Sequence, residues 1–410
     1  MSTTYETVCF FAHLLLRDER STKLILEKMK RMGVLNVRSL LESHEPFLWL
    51  EFPFIPPTHA SGLGPVNIKF YLFPVFAEHF YEDVLKEKAF GPVQRGISSI
   101  IESEISSGKH PYLGLGALTK NATGHGMGIL QHYMQHDPSM VSRFSITHGD
   151  AGTAALLIEA LSYAGIKGDG ANIAILGATG AIGSVTAKML AKKSPNKMLL
   201  VGRNVDRLTK LSTFISEHNP EVQVLTNTES EREIKSTVCI DENIQIVIVA
   251  TTGVRLLPEI LPPRCVIFDT TTPSACRISD DWGDRIVIRA GCGQIDNPTV
   301  IPEGFGPNGS GSLWDIGAGG ENVAWGCFLE TVCRAAVGTV SSHSVGKDIP
   351  WQEVQWCKRQ FGILGIHPQP VTKDGVVVSW GTVRNQIQAL IGADILSSSN
   401  ASLSTLEGAN

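Results

Sequence analysis

A glycine-rich turn at residues 177–184 (GATGAIGS) constrains the fold of this chain more than any other feature. It follows the short apolar run Asn172–Leu176 (NIAIL) and precedes a segment of helical periodicity, which predicts a strand, a tight turn and a helix in succession. Gly177 permits the tight turn, Gly180 lets the backbone approach a ligand, and Gly183 allows the helix and strand to pack closely. The free N–H groups at the start of such a helix bind phosphates. The context therefore predicts a dinucleotide site, although the spacing is G-x-x-G-x-x-G rather than G-x-G-x-x-G. The residues expected to line it at this turn are Gly177, Thr179, Gly180, Ala181, Ile182 and Gly183.

Apolar runs of four to seven residues follow the turn and alternate with segments of helical periodicity. Such runs are typical of parallel strands that are covered on both faces. The sequence therefore predicts an α/β fold with a central doubly wound, Rossmann-like domain at 147–300. An N-terminal α/β substrate- or acyl-binding domain at 1–146 and a mainly helical C-terminal segment at 301–410 flank it. The further strands are expected at 197–201, 222–225, 244–250, 265–269 and 285–289.

Helical periodicity also predicts helices at 151–165 and 321–337. Two glycine-rich segments, 113–128 and 304–320, are predicted to be loops. A loop as long as the second one is usually functional or disordered in a compact fold.

The end of the second strand of the Rossmann-like domain indicates which cofactor is bound. An NAD site usually has an acidic residue there for the ribose 2′-hydroxyl, but this chain has Arg203 and Asn204, with Arg207 one turn later. Arginine is suited to planar, charge-assisted contacts with a 2′-phosphate. We therefore expect NADPH rather than NADH. Thr251 and Thr252, at the end of the fourth strand, are expected to contact the ribose or the nicotinamide.

Composition excludes several function classes. A net charge of −5 over 410 residues gives no basic face for a nucleic acid. The apolar run interrupted by His13 is too short to span a bilayer and carries no cationic leader, so a soluble, cytoplasmic protein is expected. None of the eight cysteines forms a C-x-x-C pair, so we expect free thiols, mostly in the core, and no metal site.

Three blocks of the sequence resemble the long-chain acyl-[acyl-carrier-protein] reductases of cyanobacteria. They are THGDAGTAALLIEALSYAGIK…ANIAILGATGAIGS…LLVGRNVDRL at 147–208, WGCFLETV around Cys327, and IPWQEVQW…LGIHPQP at 349–370. The resemblance implies NADPH-dependent reduction of a fatty acyl thioester to an aldehyde, with the acyl group delivered by acyl carrier protein or CoA. A downstream aldehyde-using enzyme would then be a partner. One departure is Gly149-Asp150-Ala151, where that family tends to have Gly-Asn-Thr. This turn is more similar to the Asp-containing turn of shikimate-type dehydrogenases.

The resemblance implies that Cys327 is the nucleophile. A thiolate would displace the carrier thiol, hydride would reduce the enzyme-bound thioester, and the resulting thiohemiacetal would release the aldehyde. The candidate polar groups beside the reacting atoms are Lys120, Asn121, His148 and Asp150. For Asp150, a helix N-cap is an equally good interpretation.

Two alternatives stay open at this point. The first is a shikimate-dehydrogenase-like, NADP-dependent oxidoreductase that acts on a small keto or hydroxy acid without a covalent intermediate; Asp150 and the Rossmann order favour it. The second is a non-catalytic NADP-binding regulator, which requires the loops at 113–128 and 304–320 to be closed to substrate.

Overall fold

The fold is taken from a computed structural model of the 410-residue chain. None of the helices it describes is long and apolar enough to cross a membrane. The described residues are 6–14, 26–27, 29–30, 37–56, 60, 62–227, 243–253, 255–277, 280–295, 323–369, 371–372 and 378–392.

The first sheet is built from the N-terminal third of the chain, in the order β2-β3-β1-β4-β5. Its strands pair in parallel except β2, which is antiparallel to β3. The strands are β1 (Glu6–Leu14), β2 (Phe47–Phe54), β3 (Val66–Phe76), β4 (Pro111–Leu115) and β5 (Ser145–Thr147). The helices of this part are α1 (Val37–Ser43), α2 (Asp83–Ser106), α3 (Thr119–Ala122) and α4 (Met127–His136).

Both faces of this sheet are buried, as expected for parallel strands. Successive side chains of a strand point to opposite faces, so Phe10 and Phe11 of β1 enter two different cores. Phe11 packs in the cluster that includes Val93 and Ile97 of α2, while Phe10 lies edge-on to Phe328 at a ring distance of 5.1 Å. The first sheet therefore packs against α2 on one face and against the C-terminal part of the chain on the other.

The second sheet has the order β15-β11-β10-β9-β6-β7-β8, and only β15 is antiparallel. The strand order reverses between β6 and β9, which are adjacent although β7 and β8 separate them in the chain. This is the doubly wound, Rossmann-like arrangement that the sequence predicts, and a crevice forms at such a reversal. The strands are β6 (Asn172–Leu176), β7 (Lys197–Val201), β8 (Gln223–Asn227), β9 (Ile246–Val249), β10 (Val266–Asp269), β11 (Ile286–Arg289) and β15 (Val371–Thr372).

Four helices share a hydrophobic core with one face of the second sheet. They are α5 (Asp150–Tyr163), α6 (Ala181–Ala191), α7 (Val205–His218) and, from the end of the chain, α10 (Trp380–Ile391). The strands predicted at 172–176 and 197–201 have the observed bounds, and the other four differ by one or two residues at one or both ends.

The C-terminal part adds a small antiparallel sheet in the order β13-β12-β14. The helix predicted at 321–337 is shorter, because Val323–Trp325 pairs with β12 as a strand before the helix begins at Gly326. The predicted loop at 304–320 lies outside the described residues. The elements are β12 (Cys292–Ile295), β13 (Val323–Trp325), β14 (Ile366–Pro368), α8 (Gly326–Val337) and α9 (Trp351–Ile363). Helix α8 packs against α5, β1 and β4, so it joins the two large sheets.

Candidate functional site

A cavity of about 140 Å³ lies between the two large sheets, at the carboxyl ends of β6, β9 and β10. It receives residues from widely separated parts of the chain. The four predicted catalytic residues and five of the predicted cofactor residues line it: Lys120, His148, Asp150, Cys327, Gly180, Ala181, Ile182, Thr251 and Thr252. The predicted loop at 113–128 is partly ordered as the end of β4, α3 and the start of α4, and it contributes Asn121 as well as Lys120 to the wall. The other six predicted cofactor residues do not line the cavity: Gly177, Thr179, Gly183, Arg203, Asn204 and Arg207.

The glycine turn has the geometry that its sequence predicts. Gly177 has a φ of +84°, and a Cβ atom there would lie 2.4 Å from the carbonyl oxygen of Ala250. A Cβ at Gly183 would lie 2.2 Å from the carbonyl oxygen of Gly177, so helix α6 can approach the turn only without a side chain. Gly180 is different, because a Cβ there would meet nothing closer than 3.3 Å. Its open side belongs to the cavity wall, and the hydroxyl of Thr251 on the same wall is buried without a hydrogen-bond partner.

The end of β7 holds the predicted cofactor-selecting residues. The Asn204 side chain accepts a hydrogen bond from the backbone N–H of Arg207 at 2.9 Å and caps helix α7. The Arg207 guanidinium donates to the carboxylate of Asp348 at 2.8 Å and to the carbonyl oxygen of Lys347 at 3.1 Å. Arg203 is exposed at the same tip. Asn204 therefore caps helix α7, while Arg203 and Arg207 supply the positive charge at the end of β7.

Lys120 and Asp150 form an ion pair on the cavity wall. The ammonium of Lys120, on α3, lies 2.5 Å from Oδ1 of Asp150, the first residue of α5. The Asp150 carboxylate is buried, and burial alone would raise its pKa. The charge of Lys120 and the neighbouring His148 outweigh burial and hold the pKa of Asp150 below its usual value. The alternative interpretation of Asp150 as a helix N-cap is wrong, since Gly149 occupies the N-cap position and its backbone φ is +71°.

His148 lies next to this ion pair and is almost completely buried. Its Nε2 donates to the carbonyl oxygen of Gly346 at 2.9 Å, and its Nδ1 accepts the backbone N–H of Asp150 at 3.3 Å. Burial lowers the pKa of His148. The ring of His125 stands edge-on at 5.7 Å, and burial together with the nearby charge of Lys120 lowers the pKa of His125 to about 4. Both imidazoles are therefore neutral at pH 7.

Close contact between α5 and α8 holds Asp150 and Cys327 at one end of the cavity. A Cβ at Gly149 would lie 2.3 Å from the Cα of Cys327, and a Cβ at Gly152 would lie 2.3 Å from the carbonyl oxygen of Gly326. The buried carboxylate of Glu330 links the same two helices. It accepts the backbone N–H of Gly152 at 2.8 Å.

Glu330 is surrounded by further donors, so its charge is fully compensated. The hydroxyls of Thr147 and Ser344 each donate to it at 2.9 Å, and Arg334 pairs with it at 3.0 Å. Arg334 is itself bonded to the carboxylate of Glu353 and stacks its guanidinium on the ring of Trp356 at 4.4 Å. This network fixes the start of α5, and with it Asp150, from behind.

Cys327 is half-buried on the cavity wall at the start of α8. Burial raises the pKa of Cys327 to about 12, and the backbone contact with Ala117 and the charge of Lys120 offset only part of this shift. The thiol is therefore protonated at neutral pH, which is unfavourable for a nucleophile. The predicted nucleophilic role of Cys327 stays a prediction. The other described cysteines are free and buried: Cys9, Cys265, Cys276, Cys292, Cys333 and Cys357.

Sequence reasoning missed several residues of the wall. His125 lies in a glycine-flanked part of the 113–128 segment, which is the signal that could have identified it. Arg289, at the end of β11, and Trp325, whose indole N–H is buried without a partner, carry no motif. Asp269 also lines the cavity, but donors from its own loop occupy its carboxylate, among them Ser274 at 2.6 Å.

Comparison with known proteins gives limited similarity. The model of the 1-deoxy-D-xylulose 5-phosphate reductoisomerase family matches residues 173–260, which is less than half of the chain. No curated protein matches significantly. The solved structures that it is similar to include the ligand-free 5-ketofructose reductase of Gluconobacter sp. strain CHM43, with 9% identity, a TM-score of 0.31, and coverage of 95% of this chain and 100% of that one.

Two further structures of this group were solved with NAD. Shikimate 5-dehydrogenase from Listeria monocytogenes, in complex with shikimate and NAD, has 11% identity and a TM-score of 0.29, and 65% of this chain and 78% of that one are covered. Quinate dehydrogenase from Corynebacterium glutamicum, in complex with NAD, has 10% identity and a TM-score of 0.32, with 94% and 99% covered. Similarity at this level carries no conclusion about the reaction of this chain.

Proposed function

We propose that this chain is an NADP-dependent oxidoreductase that interconverts a small keto acid and its hydroxy acid without a covalent intermediate. The observation that carries the proposal is the Lys120–Asp150 ion pair, which lines the same cavity as the Gly180–Ile182 turn and Thr251. Reduction of a carbonyl group needs a hydride at carbon and a proton at oxygen. The cavity combines a dinucleotide-type turn with a half-buried ammonium group that Asp150 orients.

The residues present fit a nicotinamide dinucleotide. Gly180 presents an open backbone at the start of α6, and the unpartnered hydroxyl of Thr251 needs a ligand acceptor or donor. Arg203 and Arg207, with no acidic residue in their place, favour the 2′-phosphate of NADP. A bound NADPH would supply the hydride.

Lys120 supplies the proton in this proposal. Its ammonium donates to the developing alkoxide, and Asp150 keeps it directed into the cavity. Because the pKa of Asp150 is lowered, the carboxylate stays ionised and retains the ammonium over the neutral pH range. In the oxidative direction the same nitrogen takes the proton back from the alcohol.

Arg289 and Trp325 indicate the substrate class. Arg289 brings a second positive charge to the cavity wall, and Trp325 brings an unpartnered N–H donor. A guanidinium group binds a carboxylate with two parallel hydrogen bonds.

Reduction of an acyl thioester is the second candidate, because Cys327 lies on the same wall as Lys120 and the glycine turn. This candidate follows the resemblance to acyl-[acyl-carrier-protein] reductases, with acyl carrier protein or CoA as the carrier and an aldehyde-using enzyme downstream. It requires a thiolate, so the pKa of Cys327 would have to fall far below about 12 when substrate binds.

The two candidates are separated by NADPH oxidation assays with a panel of small keto acids and a panel of acyl thioesters. We expect turnover with a keto acid, and we expect Lys120→Met to lower kcat by about 10²–10⁴-fold while C327A stays active. Lys86→Met, which breaks the exposed Lys86–Asp83 pair, is the matched control and should behave as wild type. Turnover only with thioesters and only with Cys327 present would instead establish the second candidate. Undiminished keto-acid turnover by Lys120→Met would reject the assigned proton donor.

A further inference from the structure

We propose that His125, His148 and Asp150 form a binding site for a divalent transition metal ion such as Zn²⁺. Each of the three residues offers a ligand atom, and these atoms lie within 4.8 Å of one another. Two imidazole groups and one carboxylate are a common donor set for such ions in proteins. The sequence predicts no metal centre, because its cysteines lack zinc-knuckle spacing. His125 lies in a different segment from the neighbouring His148 and Asp150.

The hydrogen bonds of His148 fix its tautomer and turn Nδ1 towards Asp150. Nε2 carries the ring proton, because it faces the carbonyl oxygen of Gly346 at 2.9 Å. Nδ1 therefore carries the lone pair, which accepts the backbone N–H of Asp150 at a long 3.3 Å, and Nδ1 lies 3.4 Å from Oδ2 of Asp150. A metal ion bound to Nδ1 and Oδ2 would replace this long hydrogen bond. A hydrogen bond from the far nitrogen to a backbone carbonyl is also how proteins orient a histidine that binds a metal.

The separation of these two atoms fits a metal ion. Bonds of about 2.0–2.1 Å at a tetrahedral angle place two ligand atoms about 3.3–3.4 Å apart. The distance of 3.4 Å between His148 Nδ1 and Asp150 Oδ2 matches this value without movement. The ligand atom of His125 lies within 4.8 Å of both of them.

His125 supplies the independent observation. Its Nδ1 is buried and has no hydrogen-bond partner, which is costly for a polar atom without a ligand. His125 sits in a turn with a φ of +58°, and its carbonyl oxygen accepts the backbone N–H of Gly346 at 2.8 Å. Gly346 therefore contacts both imidazole residues and holds them on the same side of Asp150.

The site and the Lys120–Asp150 pair use different atoms of one carboxylate. Oδ1 of Asp150 accepts from Lys120, and Oδ2 faces His148. With three protein ligands, the fourth position of the ion is open towards the cavity that all three line. The ammonium of Lys120 repels the ion, so its removal should tighten metal binding. This inference goes beyond the proposed hydride transfer and does not depend on it.

The test is a Co²⁺ titration followed by the visible absorption of bound Co²⁺ and by metal stoichiometry after dialysis. The exposed pair His132 and His136 is one helical turn apart, with rings 4.5 Å apart, and could bind Co²⁺ by itself. All proteins in the test therefore carry H132A and H136A. We expect one Co²⁺ per chain in this background, displaced by Zn²⁺, with affinity reduced on the order of 100-fold by H125A and by D150N, and increased by Lys120→Met.

Absence of a Co²⁺ band, or unchanged affinity in a folded H125A or D150N protein, overturns the site. Should H125A fail to fold, D150N decides, because it preserves the size of the side chain. The metal site and the proposed function can fail separately. A protein that binds no Co²⁺ but still oxidises NADPH in a Lys120-dependent way rejects the metal site alone. Co²⁺ binding without any NADPH oxidation rejects the oxidoreductase alone.

Discussion

Substitution of Gly152 by alanine tests the contact that joins α5 to α8 and thereby places Asp150 beside Cys327. The new Cβ would lie 2.3 Å from the carbonyl oxygen of Gly326, whereas ordinary contacts begin near 3.4 Å. The two helix ends must therefore separate by about 1 Å. Overpacking of this kind costs about 1–3 kcal/mol, and weakening the charge-assisted hydrogen bond from Gly152 N–H to Glu330 adds about 1–2 kcal/mol.

Gly362→Ala is the matched control. Gly362 also lies in a helix, but a Cβ there meets nothing within 4 Å. Alanine in place of glycine should therefore stabilise the control by about 0.5–1 kcal/mol, through helix propensity alone. Gly152→Ala gains the same helix propensity, so we expect the free energies of unfolding of the two variants to differ by the contact terms alone, about 2–5 kcal/mol.

Urea-induced unfolding followed by tryptophan fluorescence measures this difference. Keto-acid reduction gives a second readout, since a displacement of about 1 Å near reacting groups can lower kcat/KM by about 100-fold. If Gly152→Ala unfolds at the same urea concentration as Gly362→Ala and keeps its activity, the close α5–α8 contact does not position the site.

Three further predictions concern the turn, the cofactor and pH. Gly177→Ala should abolish NADPH binding, measured by fluorescence titration, because the new Cβ would lie 2.4 Å from the carbonyl oxygen of Ala250. Gly170→Ala is the control: Gly170 has a similar positive φ and nothing within 4 Å of a Cβ, so this variant should bind NADPH normally. Arg207→Gln should raise the Kd for NADPH by about tenfold and leave the Kd for NADH unchanged, because a charge-assisted contact with the 2′-phosphate is worth about 1.4 kcal/mol or more. Equal effects on the two Kd values would contradict a role of Arg207 in binding the 2′-phosphate. The hydrogen bond from His343 and the charge of Arg334 lower the pKa of Glu353 to about 2. A lowered folded-state pKa stabilises the protein above pH 4.5 and loses this effect as the pH falls towards 2, so the difference in thermal midpoint between wild type and E353Q should shrink over that range. A difference that stays constant with pH would refute it.

The strands of the second sheet could be predicted closely because they are buried on both faces and therefore appear in the sequence as short apolar runs. The tight turn at Gly177 and the close packing at Gly183 are confirmed, since a Cβ atom at either position would lie within 2.4 Å of a backbone oxygen. The start of α8 was placed wrongly, because pairing of Val323–Trp325 with β12 is a long-range contact that local periodicity does not contain.

The site was predictable only in part. His148 and Asp150 are close in sequence, and the turn that holds them has a recognisable composition. Arg289 reaches the cavity through the packing of two sheets, which no local pattern encodes. The resemblance implies that Cys327 is the nucleophile, and Cys327 does line the cavity. The sequence could not show the burial that raises the pKa of Cys327 to about 12.

Hydride tracing tests direct hydride transfer in this cavity. NADPH carrying deuterium at both hydrogen positions of the nicotinamide C4 is incubated with a keto acid that supports turnover, and the product is analysed by mass spectrometry for wild type and for C327A. Direct hydride transfer predicts a hydroxy acid with one deuterium on the former carbonyl carbon in both proteins. An unlabelled product, or loss of labelled product when the Cys327 thiol is absent, would contradict direct hydride transfer in the cavity lined by Lys120 and Asp150.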